Sequence, residues 1–132
     1  MEQRNVNPWT WQDHFGFSQA VDVSGAERVL YCAGQTSSDA DGSTLHAGDM
    51  GAQAAQALDN LETVLRGAGM SLANVVRLNS YVTDVDLFFA EGAQVVAERT
   101  AAAGIQPAAT LLGVTRLAFP DLLIELEATA VA

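Results

Sequence analysis

The sequence predicts an α+β domain in which one β-sheet carries two helices on one of its faces. Three observations lead there. The chain has 132 residues, enough for one buried core and too few for two. Strand-like segments cluster in pairs towards its two ends. Between those pairs, two stretches with helical period arrive singly around one further strand, an order that stacks helices on one side of a single sheet.

Trp9 and Trp11 in NPWTW are expected to pin an N-terminal arm by packing. FGFSQAVDV alternates, with Phe17, Gln19, Val21 and Val23 on one face, and reads as a strand. After the turn SGAE, the β-branched and aromatic run RVLYCAGQ is expected to return antiparallel to it. SSDADGSTLHAGD is a polar loop turning at Asp41-Gly42. From Met50 to Ala68, the apolar positions Met50, Ala54, Ala57, Leu58, Leu61, Leu65 and Ala68 keep a helical period, with Gly67 and Gly69 at hand for a left-handed stop. VVRLNSYVTD is a strand, and Asp84 or Asp86 is placed to cap a helix running to about Ala103, with Phe89, Ala93, Val96 and Thr100 as its buried stripe and Gly104 as its end. After Pro107, ATLLGVTR and DLLIELEATAV are two strands separated by LAFP.

Composition narrows the function classes. Hydrophobic residues make up 49% of the chain and charged residues 17%, which predicts that part of the apolar surface, including the sheet face left by the helices, closes against other subunits. Six basic residues against sixteen acidic give a net charge of −10. Phosphate backbones and anionic membrane surfaces need basic clusters, so neither nucleic acid nor a membrane is an expected partner. No leader pattern and no long apolar run occur, and the single cysteine, Cys32, fits a reducing compartment, so a cytoplasmic location is expected.

Motifs that would announce an enzyme class, such as a phosphate loop, a nucleophile elbow or metal-ligand spacing, do not occur. His14 and His46 read as surface or helix-start residues, and Cys32 as a small core hydrophobe. In the last strand, Leu122, Ile124, Leu126 and Ala128 point one way and Glu125 and Glu127 the other. Strand alternation alone makes that second face solvent. If it instead looks into a cleft between subunits, a carboxylate there can serve as general acid or base. Arg77, Asn79 and Arg116 read as salt-bridge or solubility residues, with ligand binding as the second reading.

The strings FSQAV, LYCAGQ and AQALDNLETVLRGAGMSLANVVRLNSYVTD, with Pro107 and the closing IELEA from Ile124, resemble the RidA/YjgF family, also called the endoribonuclease L-PSP family, over about residues 15–131. The resemblance implies a chorismate-mutase-like mixed sheet with two helices on one face, assembled as a homotrimer with small-molecule clefts between subunits. It also implies hydrolysis of reactive imines and enamines, such as 2-aminoacrylate, to keto acids and ammonia, without a metal or organic cofactor. Four positions depart from the deaminase pattern. Ala109 stands where an arginine clamps the substrate carboxylate, Phe17 where a tyrosine stands, Ala33 in place of a serine, and Gly92 in place of an asparagine. Gly34, Gln35 and Glu125 are retained, the last positioning the attacking water in the family, which makes Glu127 the bystander of the pair. The resulting pocket is expected to be more apolar than that of the deaminases, with Thr110, Leu111 and Leu112 lining it and Arg116 or Arg77 as candidates to replace the missing guanidinium. Loss of the polar positions leaves a second reading open, a trimer that binds a small metabolite without turning it over.

Overall fold

A computed structural model describes all residues, Met1–Ala132. Its main sheet is ordered β3 (Val29–Tyr31), β7 (Ile124–Val131), β5 (Val75–Val82) and β6 (Ala108–Gly113), and β4 (Gln35–Thr36) pairs with β7 beyond β3. The sheet is mixed: β7 runs antiparallel to β3, β4 and β5, whereas β6 is parallel to β5. That parallel pair needs a crossover, and the second helical segment supplies it.

The core lies between β7, β5 and helix α1 (Met50–Gly67). Ile124, Leu126, Ala128 and Ala130 of β7 and Val75, Leu78 and Val82 of β5 meet Met50, Ala54, Ala57, Leu58, Leu61 and Leu65, all buried. Asp49 caps α1 by accepting the Ala52 N–H at 3.0 Å. Its C-terminus is closed by Met70 N–H donating to Leu65 O and Gly69 N–H to Arg66 O, with Gly69 at φ 71°. Gln53 is fully buried and fully used: its amide donates to His46 O and Asp121 O and accepts from Leu123 N–H. It thereby ties the loop before α1 to the entry of β7. No helix is long and apolar enough to cross a membrane.

Asp84 caps α2 (Val85–Leu87) by accepting the Leu87 N–H at 2.9 Å. The helix then passes through a π-helical turn, Phe88–Gly92, before continuing as α3 (Ala93–Ala102). This wider turn corrects the expected stripe. A residue inserted into the helical repeat rotates every later position about the axis, so Phe88 is buried and Phe89 is 53% exposed, while Thr100 is buried as expected.

The N-terminal part departs furthest from expectation. The strand after Phe17 is β2 (Ala20–Ser24), and it pairs with β1 (Glu2–Val6) instead of with RVLYCAGQ. The expected hairpin does not form because the backbone of Val29–Tyr31 is engaged by Thr129–Val131 of β7. The strand EQRNV has no apolar alternation to betray it; its structure comes from pairing, with Arg4 and Asp22 opposite one another and their side chains 3.0 Å apart. Trp9 and Trp11 are each 60% exposed in the protomer, so they do not bury the arm as expected. What anchors it instead is backbone: Ser18 N–H donates to Pro107 O at 3.0 Å beside an isolated bridge to Ala108.

Candidate functional site

Two groups of residues stand out, on opposite faces of the sheet. The first is built by a break in the strand RVLYCAGQ. Tyr31 faces Thr129 and Gln35 faces Leu126, so four steps on one strand match three on β7. The extra residue is a bulge, which kinks the strand at Cys32–Gly34 and brings Gly34 against β7. A Cβ on Gly34 would lie 1.9 Å from Oε1 of Glu125 and 2.7 Å from its Cδ. The carboxylate in its present position therefore occupies the space that any side chain at residue 34 would need. Gly34, Gln35 and Glu125 are thus neighbours; the Gln35 amide donates to Ala33 O at 3.1 Å, and Ala33 is exposed.

Glu125 and Glu127 share the face that carries no helix, and their surroundings differ. Glu127 Oε1 accepts from Asn79 Nδ2 at 3.1 Å and from the Tyr81 hydroxyl at 3.0 Å. That hydrogen bond pushes the Tyr81 phenol above the ordinary tyrosine range, with desolvation and the charges of Glu127 and Glu125 adding to it and a hydrogen bond from Asn79 opposing it. Glu125 is half-buried, lies directly across from Tyr81, and makes no side-chain hydrogen bond or ion pair. Of the two carboxylates it is the free one. On the core side of the same bulge, burial pushes the Cys32 thiol up, away from thiolate chemistry.

The second group forms a cleft of about 290 Å³ between β6, the π-turn and the arm around Phe15. Parallel register sets Ala109 beside Leu78 and Leu111 beside Ser80, on the helix-bearing face of the sheet. Phe17, Ala109, Thr110 and Leu111 line the cleft with Pro107, and no charged side chain does. Leu112 does not line it, contrary to expectation; it alternates to the other face, 49% exposed. Nor does Gly92, which is packed in the interior, where a Cβ would come within 2.9 Å of Phe88 and 3.2 Å of Met50. Neither arginine reaches the cleft: Arg116 is exposed and turns onto Ala118 O, and Arg77 donates to Asn79 Oδ1 on the other face.

Sequence reasoning missed the aromatic wall. Trp11, Phe15, Phe88 and Phe89 join Phe17 around the cleft. The adjacent pair Phe88-Phe89 was the available signal, two aromatic side chains on neighbouring positions of one helix.

Comparison with known proteins agrees with this architecture. The sequence model of the endoribonuclease L-PSP family matches residues 12–132. The RutC family protein PH0854 of Pyrococcus horikoshii is 35% identical over 114 residues, covering 86% of this chain and 85% of that protein. Human 2-iminobutanoate/2-iminopropanoate deaminase is 35% identical over 72 residues, covering 54% of this chain and 50% of the enzyme. Among solved structures, YyfB of Yersinia pestis, a protein of the Rid family, superposes with a TM-score of 0.89 at 39% identity over 100% of both chains. TdcF of E. coli with bound serine superposes with a TM-score of 0.71 at 25% identity over 88% of this chain and 87% of its own. The chain therefore belongs to the endoribonuclease L-PSP family, the family of RidA and YjgF.

Proposed function

We propose that this protein is a divergent RidA-like homotrimer that hydrolyses a small imine, enamine or related carbonyl compound in a cleft between subunits. Membership of the family supports processing of a small molecule. The observation that carries the finer reading is the separation of the two groups. Glu125 and Gly34 lie on one face of the sheet, and Phe17 and Ala109 line a cleft on the other. A site that uses both needs the cleft of one subunit and the carboxylate of the next, and the helix-free sheet face is the surface along which subunits would meet.

In such a site water adds to the C=N carbon while Glu125 takes its proton. That proton is passed to nitrogen to give a carbinolamine, and loss of its hydroxyl proton with a second protonation of nitrogen breaks the C–N bond, releasing ammonia and leaving a carbonyl product. Turnover of 2-aminoacrylate is not the natural reaction in this reading. Alanine at position 109 offers no bidentate partner for a carboxylate, and the surrounding wall is uncharged. RNA is not the substrate either, given a net charge of −10 and only six basic residues.

The test is ammonia and carbonyl release from imines generated in situ, bearing different side chains, for wild type and Glu125→Ala. Release that depends on Glu125 supports hydrolysis, and Ala109→Arg should raise the rate on carboxylate-bearing imines. A flat response for every imine, with Glu125→Ala indistinguishable from wild type, overturns it. The second reading, a metabolite-binding trimer without turnover, is favoured by the scarcity of polar groups in the cleft, and that result would select it.

A further inference from the structure

The cleft has a chemistry of its own that bears on what it accepts. Five aromatic rings border it, from Trp11, Phe15, Phe17, Phe88 and Phe89. Successive centroids along Trp11, Phe17, Phe15, Phe89 and Phe88 are 6.1, 6.4, 6.5 and 5.8 Å apart, in tilted or edge-on arrangements. These distances sit at the wide end of aromatic pairing, so the rings form a rim and do not stack on one another. Trp11, Phe15 and Phe89 are each about half exposed or more, leaving apolar surface that a bound group would take out of water.

Three hydroxyl-bearing residues, Ser80, Thr100 and Thr110, interrupt the apolar lining, and Thr110 is exposed at its edge. Ser80 is only 9% exposed, lines the cleft from β5, and its hydroxyl has no hydrogen-bond partner in the protein. Thr100, also in the lining, has already donated its hydroxyl to Ala97 O at 3.1 Å. The Ser80 hydroxyl is not sealed in the interior; it opens onto the cleft, where it is free to bond a ligand or water. The side chains of its neighbours across the ladder, Leu111 and Leu126, offer it no partner.

We propose that the cleft binds an uncharged single aromatic ring carrying one hydrogen-bonding heteroatom, which meets Ser80, and that this is the class of group borne by the substrate. The inference rests on the reading above, in which the cleft and Glu125 of a neighbouring subunit form one site. A cavity of about 290 Å³ is at the small end of ligand sites, which run from roughly 300 to 1,000 Å³, and so suits one ring and excludes a long chain. A charged ring is disfavoured, because no lining residue compensates a buried charge.

Phenol, toluene and benzoate are matched probes, titrated against the full-length protein in its native assembly with tryptophan fluorescence and ligand-observed NMR. Phenol should bind about tenfold or more tightly than benzoate. Ser80→Ala should weaken phenol about fivefold, the worth of one hydrogen bond, and leave toluene unchanged. Phe89→Ala, at an exposed position, should weaken both. Benzoate binding as well as phenol overturns the proposal, as does an unchanged phenol-to-toluene ratio in Ser80→Ala, or absence of binding by every probe because another copy's side chain fills the cleft. Imine turnover by wild type and Glu125→Ala, measured in parallel, separates the two ideas. Glu125-dependent turnover without phenol binding removes the substrate class alone. Phenol binding with turnover indifferent to Glu125 removes the catalytic reading and leaves the selectivity of the cleft standing.

Discussion

Replacing Gly34 with alanine tests the proposed catalytic geometry with one methyl group. The new Cβ would sit 1.9 Å from Oε1, 2.7 Å from Cδ and 2.9 Å from Cγ of Glu125, so the whole carboxylate end has to leave. To reach ordinary van der Waals separation Oε1 must retreat by about 1.5 Å. The backbone does not oppose the change, because Gly34 is outside the left-handed region occupied by six other glycines. Alanine also restricts the unfolded chain, a gain of about 0.4–1 kcal/mol that offsets the cost of turning one half-buried side chain. The melting temperature should therefore move by only a few degrees.

Catalysis should suffer far more than stability. A misplacement of about 1 Å can cost about 100-fold in rate, or about 2.7 kcal/mol of transition-state stabilisation. The assay is Glu125-dependent imine hydrolysis, scored as kcat/KM for Gly34→Ala, Glu125→Ala and the double variant. Because both changes act on one carboxylate, the double variant should be no worse than Glu125→Ala alone. Full activity in Gly34→Ala, or losses that simply add in the double variant, would refute the argument that Gly34 exists to seat Glu125.

Three further predictions concern the frame around the site. Gln53→Ala removes the partner of His46 O, Asp121 O and Leu123 N–H at once, and urea denaturation should show a loss of about 3 kcal/mol, since each abandoned buried group costs about 1–3 kcal/mol. Gly92→Ala drives a methyl against Phe88 and Met50 and should cost about 1–3 kcal/mol by overpacking, while adding Met50→Ala should recover part of the loss. Tyr81, followed by absorbance at 295 nm in a Tyr31→Phe background, should ionise above the ordinary tyrosine range, and Glu127→Gln should bring it back down. The sign comes from the neutral phenol being the form favoured in the fold: its stabilising hydrogen bond is present at neutral pH and is lost as pH rises through the raised pKa.

Much of the frame was legible in the chain itself. The stripe from Met50 to Leu65 and the alternation of Leu122, Ile124, Leu126 and Ala128 reflect periods of 3.6 and 2. The cap at Asp84 sits where the local chemistry of a helix start places it, and Asp49 caps the first helix in the same way without having been singled out in the sequence. These features are set by neighbours within a few residues, and the family strings by their literal order.

What only tertiary structure decided depends on residues far apart in sequence. RVLYCAGQ cannot announce that it pairs with residues 125–131 and not with residues 20–24, because a strand's own pattern says which face is buried and not which partner it meets. The one-residue bulge that presses Gly34 against Glu125, the two hydrogen bonds that occupy Glu127, and the π-turn at Phe88–Gly92 beside the cleft all arise from register and packing. Composition and order alone determined the fold class and the two carboxylates worth asking about. The family resemblance already favoured Glu125, and long-range pairing supplies the physical reason, since only in the folded sheet does Glu127 acquire partners while Glu125 is left free.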